Sequence, residues 1–263
     1  MYKKKYNQTI NRVLEGSNTD RQWYKSYMIG NSPRILSDFL FIRKHIDKKA
    51  EILDIGSIPP LMSAILKENG YMNITVVDPY PENFEFFFNN TSVNFIKQNI
   101  METSINGYSE KFDLIIFSEV IEHLTGDVLT AIKNVIRHLK PNGHILVTTP
   151  NVRSIWGLFA LIFKSSALAS KPFSTVREQY ERKGYYGHVR EYTNKEIQQL
   201  FESFDLKLVD SKYQISYSAP NRIHYKIIFY LINIIEFIFP KWRLFGKYLF
   251  VKPAKTDLNP DGK

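Results

Sequence analysis

The chain has 263 residues and no cysteine, which excludes disulfides, zinc–thiolate sites and iron–sulfur clusters. Hydrophobic residues make up 44% of the chain, enough to bury a sizeable core. The formal charge is +9, but only YKKKY at the N-terminus is densely basic. The sequence shows no basic stripe interleaved with aromatic residues, which is the pattern that would indicate nucleic-acid binding. The first twenty residues are polar and no apolar run reaches about 18 residues, so we expect a cytoplasmic protein.

The first 151 residues change from a helical segment to a regular alternation of strands and helices. Residues 1–45 are predicted to form an N-terminal helical cap, which is loosely held over residues 1–32, with Ser32 as the N-cap of its last helix and Pro33 in the first turn. Residues 46–151 alternate, which predicts a parallel sheet with helices on both faces. The predicted strands are EILDIG, NITVVDP, VNFIKQNI, KFDLIIFSEV and HILVTTPN, the last after a PNG turn. Gly70 is predicted to close the first helix of this region.

The alternation breaks after Asn151. Residues 152–192 begin with the apolar SIWGLFALIF and are predicted to form an insert, or lid, over the active site. Residues 193–252 are predicted to complete the core, starting with a helix that has Thr193 as N-cap and Glu196 in a capping box. This part also contains an apolar helix at about 221–240 and a final strand, GKYLFVKPA. Residues 253–263 are predicted to be a flexible tail.

Polar residues follow the predicted strands. Parallel sheets bind ligands beyond the carboxyl ends of their strands, so residues at these ends are expected to converge on one crevice. They are Asp54, Gly56, Asp78, Asn99, Ser118, Glu119, Pro150 and Asn151. Asp78 lies 22 residues after Gly56, the spacing expected for a carboxylate that accepts hydrogen bonds from a ribose, although DPYP is also ordinary turn sequence.

The turn after the first strand lacks the glycines of a dinucleotide site. Ile58 and Pro60 stand where a pyrophosphate requires glycine for close backbone approach. A nucleoside without phosphates makes a smaller demand, which Gly56 alone satisfies. The sequence therefore predicts an adenosine-type ligand rather than a dinucleotide.

Several motifs together resemble those of class I S-adenosylmethionine-dependent methyltransferases, over about residues 50–210. They are EILDIGS, ITVVDPYP, FDLIIFSEVIEHL, LKPNGHILVTTPN and GHVREYTNKEIQQLFESF. The resemblance is to the bacterial branch with the EHL, LKPNG and TPN signature. It implies a Rossmann-like, mostly parallel sheet with the last strand antiparallel, helices on both faces and helical inserts. It also implies S-adenosyl-L-methionine as the cofactor.

The same resemblance assigns cofactor-binding roles. Asp54, Gly56 and Ser57 would hold the methionyl end of the cofactor. Asp78, followed by Pro79, would take the ribose hydroxyls, and Tyr80 would pack on the sugar or adenine. Asn99 and Ile100 would flank the adenine, and Ser118 and Glu119 would line the wall beside the sulfonium.

Methyl transfer to a hydroxyl benefits from a base, and two histidines are candidates. They are His188 and His123, with Glu119 or Glu122 orienting the base or binding a cation with His123. The alternatives are structural roles for both rings and a solvated carboxylate at Glu122. Arg190 and Glu191 would position substrate or pair with each other. No dedicated metal site is predicted.

The acceptor is not fixed by fold. The resemblance suggests O-methylation of a sugar or another small precursor of bacterial surface polysaccharide. The alternatives are a lipophilic phenol or quinone at the membrane, and a non-catalytic adenosine-binding scaffold subunit. A nucleic-acid methyltransferase is disfavoured because FSEV replaces the DPPY-type tetrapeptide after the fourth strand. The apolar helix at 221–240 predicts packing inside the protein, a homodimer contact, or peripheral contact with the inner face of the membrane.

Overall fold

The computed structural model describes residues 2–17, 20–164, 187–214 and 223–254. The chain divides into two compact units. The first unit comprises Met1–Ser118, Leu129–Leu146 and Lys252–Lys263, and the second comprises Glu119–Val128 and Val147–Val251. The predicted domain boundaries are not tested by this division and stay predictions.

A seven-stranded sheet has the strand order β3-β2-β1-β4-β5-β7-β6. The strands are β1 (Glu51–Ile55), β2 (Asn73–Asp78), β3 (Asn94–Lys97), β4 (Phe112–Ser118), β5 (Leu139–Pro150), β6 (Lys207–Gln214) and β7 (Phe245–Val251). β1 pairs in parallel with β2 and β4, and β2 with β3, whereas β6 and β7 are antiparallel. The predicted fold class, a mostly parallel Rossmann-like sheet with an antiparallel last strand, is confirmed.

Six helices begin in residues 2–136. They are α1 (Tyr2–Val13), α2 (Arg21–Gly30), α3 (Ser32–His45), α4 (Leu61–Glu68), α5 (Glu85–Asn89) and α6 (Val128–Ile136), and a 3₁₀ turn at Pro81–Phe84 precedes α5. α1 buries Ile10 and Val13 completely, and its Thr9 and Arg12 bind the Glu68 carboxylate of α4, each at 2.8 Å. The expectation of a loosely held cap was therefore wrong, because an apolar stripe and a polar clamp fix α1.

Of two helix caps and one turn predicted from local sequence, one cap agrees with the structure and the other two features differ from it. Asn31, not Ser32, is the N-cap of α3, and the Ser32 hydroxyl donates to the Ile29 carbonyl instead. The PNG segment lies within β5, where Asn142 has φ +62° and its N–H donates to the Lys252 carbonyl. Pairing with the chain after β7 thus extends the strand through the predicted turn. Gly70 has φ +89° after α4, as predicted for a left-handed cap.

The second unit carries three helices in its described parts, α7 (Ile155–Lys164), α8 (Asn194–Glu202) and α9 (Ile223–Ile238). Short 3₁₀ turns lie at Ile121–His123 and Pro240–Trp242. The predicted capping box of α8 is present, with Thr193 and Glu196 exchanging side-chain-to-backbone hydrogen bonds. Residues 165–186 of the predicted lid and 255–263 of the predicted tail lie outside the described residues. Within the described ranges, no helix combines the length and apolar character needed to span a bilayer.

Candidate functional site

Asp54, at the end of β1, is a buried carboxylate in the first unit. Its Oδ2 accepts a hydrogen bond of 2.7 Å from Ser63 Oγ, which α4 projects toward it. Desolvation raises the pKa of Asp54 to about 6, and the hydroxyls of Ser63 and Ser57 counteract that rise. Gly56 follows with φ +67°, and its N–H donates to the Val77 carbonyl at 2.8 Å. The left-handed turn that glycine permits therefore ties the end of β1 to β2.

Asp78, at the end of β2, is the second buried carboxylate of this unit. Its Oδ1 accepts a hydrogen bond of 2.8 Å from the Tyr80 N–H. Burial raises the pKa of Asp78 to about 6, against the lowering effect of the Tyr80 bond. A carboxylate offers about four acceptor positions, so capacity remains for the two hydroxyls of a ribose. The Tyr80 ring is 70% exposed, so its face is open to a ligand.

The remaining predicted cofactor residues of the first unit differ in burial and in the hydrogen bonds that they already make within the protein. Asn99 forms its own turn, accepting from Met101 N–H and donating to Glu102. Ile100 is buried and Pro79 is half-buried. The Ser118 hydroxyl, at the end of β4, is buried and makes no hydrogen bond to the described residues. Such an orphaned donor fits a polar ligand group.

Glu119 opens the second unit in a strained conformation. Its φ is +56°, a region that non-glycine residues rarely adopt and that clusters at functional sites. Its N–H donates to the Thr148 carbonyl at 2.9 Å, and its Oε1 accepts from Thr148 Oγ1 at 3.2 Å. The end of β5 therefore fixes both the backbone and the side chain of Glu119.

His123 and His188 contact each other edge to face, with ring centroids 4.8 Å apart. His123 Nδ1 lies 2.6 Å from the Gly187 carbonyl, and His188 Nδ1 lies 2.9 Å from Glu191 Oε1. Because these oxygens accept, each Nδ1 carries a proton, and in a neutral ring Nε2 is then the acceptor. We call His123, His188, Glu122 and Glu191 the histidine cluster.

The two carboxylates of the histidine cluster are buried, while His123 keeps an exposed edge. Glu122 Oε2 accepts from Thr149 Oγ1 at 3.1 Å, and the Glu122 carbonyl accepts from the Val189 N–H at 2.7 Å. Desolvation, together with the neighbouring His188, lowers the pKa of His123 to about 4, although the hydrogen bond to Gly187 opposes this shift. Neutral His123 therefore dominates at neutral pH.

The histidine cluster also has the donor set of a cation site. One ligand atom each from Glu122, His123 and His188 lies within 4.8 Å of the others. Imidazole and carboxylate together suit zinc and related divalent ions. The arrangement thus fits a proton relay or a bound cation, and the prediction that no dedicated metal site exists stays a prediction.

Two sequence interpretations require correction. The alternative of a solvated carboxylate at Glu122 is wrong, because its side chain is fully buried. Arg190 and Glu191 were expected either to position substrate or to pair with each other, and the pairing is wrong, because Arg190 binds Glu196 at 2.8 Å and Glu191 binds His188. Alternation along GHVREY turns these two neighbours to opposite sides.

Three hydroxyl residues were missed. Ser63, Thr148 and Thr149 hold the carboxylates of Asp54, Glu119 and Glu122. Their signal in the sequence was the polar TT pair at the apolar end of β5 and a serine in an apolar helix. Asn151 also has a structural role, because its side-chain amide donates to the carbonyls of Lys241 and Arg243.

The sequence resembles known proteins over most of its length. A family described as "Methyltransferase domain" matches residues 24–211. The ubiquinone biosynthesis O-methyltransferase of Rickettsia typhi is 33% identical over 129 residues, 48% of this chain and 52% of that protein. The same enzyme of Rickettsia akari is 36% identical over 110 residues, 41% of this chain and 43% of that protein. The chain therefore spans about half the length of the curated relatives it matches.

Solved structures share the fold at low sequence identity. A Burkholderia thailandensis 1,6-didemethyltoxoflavin-N1-methyltransferase, solved with bound 1,6-didemethyltoxoflavin and S-adenosylhomocysteine, has a TM-score of 0.55 and 15% identity. That match covers 94% of this chain and 89% of that one. The [4+2]-cyclase SpnF has a TM-score of 0.57 and 14% identity, over 83% of this chain and 81% of its own. One fold thus carries enzymes named for different reactions, so the reaction must be argued from the site.

Proposed function

Because this chain belongs to the methyltransferase domain family, we propose that it transfers a methyl group from S-adenosylmethionine to an oxygen of a small acceptor. The observation that carries the proposal is the buried Asp78 carboxylate at the end of β2, with acceptor capacity to spare. A carboxylate at this place in the fold suits a ribose diol. The alternative of a non-catalytic scaffold leaves the histidine cluster without a purpose.

The residues of the first unit fit the cofactor. Asp78 would accept from the ribose hydroxyls, and these bonds would favour its ionised form, offsetting the effect of burial. Asp54 and Gly56 would hold the amino-acid end, and the Ser118 hydroxyl would find a partner. Asn99 and Ile100 would flank the adenine. When bound, S-adenosylmethionine supplies an activated methyl group on a sulfonium.

We assign the base to His188. Its Nδ1–H is held by the buried Glu191 carboxylate, so Nε2 points its lone pair away and can accept a proton. The acceptor hydroxyl loses its proton to this Nε2 as its oxygen forms the bond to the methyl carbon. The methyl group would come from the bound sulfonium, which would keep the carbon–sulfur bonding pair as a neutral thioether. Glu191 stabilises the imidazolium.

His123 takes a positioning role. Its low pKa makes it a weak base at neutral pH, but its ring packs edge to face against His188. Glu119, fixed by Thr148, would line the side of the transferred methyl.

The acceptor we favour is a phenolic hydroxyl on a lipophilic quinone precursor. The support is the name of the relatives, which are O-methyltransferases of ubiquinone biosynthesis. The apolar α7, with Phe159, Ile162 and Phe163 exposed, also suits a lipophilic substrate, and its role as a lid is part of the proposal. The sugar acceptor inferred from the sequence motifs finds no comparable support.

Product analysis tests the function. Purified protein is incubated with S-adenosylmethionine and either a catechol bearing an isoprenoid chain or a nucleotide sugar. We expect S-adenosylhomocysteine and an O-methylated catechol, detected by mass spectrometry, and no methylated sugar. Calorimetry that finds no S-adenosylmethionine binding would reject the enzyme and favour the scaffold. Binding with product only from the sugar would reject the phenolic acceptor alone.

The partner proposed for the apolar helix α9 is a membrane surface rather than a second copy of the chain. Both were open from the sequence.

A further inference from the structure

In helix α9, apolar side chains face solvent and an acidic side chain is buried, which is the reverse of an ordinary surface helix. Among its described side chains, six apolar ones are exposed by 38–77%: Tyr230, Leu231, Ile234, Ile235, Phe237 and Ile238. Glu236 is fully buried. At about 100° per residue, the exposed set covers roughly 160° of the circumference, with Glu236 on the opposite side. A helix packed only on its own core would show the reverse.

The residues after α9 add aromatic and basic character to this surface. Phe239 is half exposed and stacks on Trp242 at 4.9 Å, and Lys241 is exposed. Arg243 turns inward, where Nε donates to the Glu236 carbonyl and Nη1 to the Tyr213 carbonyl. The inner side of the segment is therefore anchored, while an apolar face with an aromatic and cationic rim meets solvent.

We propose that α9 lies flat on a membrane surface that contains anionic lipid, with its exposed apolar face among the acyl chains. A helix of 16 residues is about 24 Å long, shorter than the roughly 30 Å hydrocarbon core. An in-plane helix with a wide apolar face and an exposed lysine just after its C-terminus, Lys241, matches the requirements of the lipid interface. Trp and Tyr side chains favour the same depth.

Charge distinguishes lipid from a second copy of this chain as the occupant. The formal charge is +9. Between residues 230 and 244, the one acidic side chain is the buried Glu236, whereas Lys241 is exposed. Two copies joined through this face would bring positive charges together. Anionic headgroups would instead attract them, at about 1 kcal/mol per basic residue near the surface.

Vesicle co-sedimentation of the full-length protein tests this proposal without S-adenosylmethionine. Vesicles of phosphatidylcholine with about 30% phosphatidylglycerol are compared with pure phosphatidylcholine. We expect binding to the anionic vesicles and binding weaker by about tenfold or more in Phe237→Asp. The matched control is Met72→Asp, an apolar residue of the first unit that is 59% exposed. This control should bind like the unchanged protein.

A second variant keeps the test decisive if Phe237→Asp folds poorly, as checked by thermal melting. Lys241→Glu should weaken anionic binding severalfold, and added salt should narrow its difference from the unchanged protein. No binding to anionic vesicles, or equal binding by Phe237→Asp, overturns the proposal. A dimer in sedimentation that Phe237→Asp converts to a monomer, without vesicle binding, also overturns it in favour of self-association. Neither result bears on methyl transfer.

Discussion

The two units differ in how a buried acidic side chain is hydrogen-bonded. In the first unit, Asp54 is buried but accepts a hydrogen bond from Ser63. In the second, Glu236 is buried with neither carboxylate oxygen hydrogen-bonded within the described residues. The first arrangement satisfies the buried acid in advance, as the proposed cofactor site requires. The second accompanies an apolar face turned to solvent. A buried acid therefore belongs to the proposed cofactor site in one unit and lies opposite an exposed apolar helix face in the other.

The largest expected effect separates catalysis from cofactor binding. His188→Ala removes the proposed base, and we expect the turnover number at saturating cofactor to fall by about 10²–10⁴-fold. The dissociation constant for S-adenosylmethionine, measured by calorimetry, should stay within about twofold because His188 is not among its proposed ligands.

Two controls accompany this substitution. His45→Ala, a half-buried histidine of the first unit, should leave turnover unchanged. Glu191→Gln should lower turnover and shift its pH profile, since the imidazolium would lose its carboxylate partner. Turnover that survives in His188→Ala, in enzyme freed of metals by chelation, would contradict the assignment of the base.

The reciprocal change is Asp78→Asn. It keeps the size of the side chain but weakens its acceptance of ribose hydroxyl protons, because hydrogen bonds to a charged group are worth about 1.5–3 kcal/mol. We expect the dissociation constant for S-adenosylmethionine to rise by about ten- to a hundredfold. Asp113→Asn is the matched control, because Asp113 binds Lys140 near the start of β4. Equal effects in both variants would reject the ribose contact.

The sequence predicted the site residues of the first unit better than those of the second, for physical reasons. Buried parallel strands produce long apolar runs that end in polar residues, so Asp54, Asp78 and Ser118 were placed by position alone. The histidine cluster joins residues some 65 positions apart, such as His123 and His188, and tertiary packing decides the partners there. Burial of Glu122 depends on Thr149, a contact invisible to local patterns.

Glu236→Leu tests the second half of the comparison. Burial raises the pKa of Glu236 to about 7, although the Arg243 charge opposes the rise. A raised pKa in the folded state means full stability below the unfolded pKa of about 4.5, lost as the pH rises through about 7. Leucine cannot ionise, so the variant does not lose this stability as the pH rises. We expect the free energy of unfolding at pH 8 to increase by about 2 kcal/mol, with little change at pH 4.

Urea denaturation at both pH values measures this difference, and vesicle binding should be unaffected because Glu236 faces inward. Asp54→Leu is the contrasting variant. This substitution leaves the buried Ser63 hydroxyl without its carboxylate acceptor. The free energy of unfolding should therefore increase less at pH 8 and should fall at pH 4. An equal gain in both variants would erase the distinction between the two buried acids.

The smallest expected effect concerns the start of α8 in the second unit. Thr193→Ala removes the hydroxyl that accepts from the Glu196 N–H and breaks one half of the capping box. We expect a loss of about 1 kcal/mol in the free energy of unfolding. Thr193→Ser keeps the hydroxyl and should restore most of it. Because Thr193 lies two residues from Glu191, a drop in turnover with the loss of stability would show that the cap also positions the histidine cluster. Unchanged turnover would show that Thr193 stabilises the start of α8 without positioning the histidine cluster.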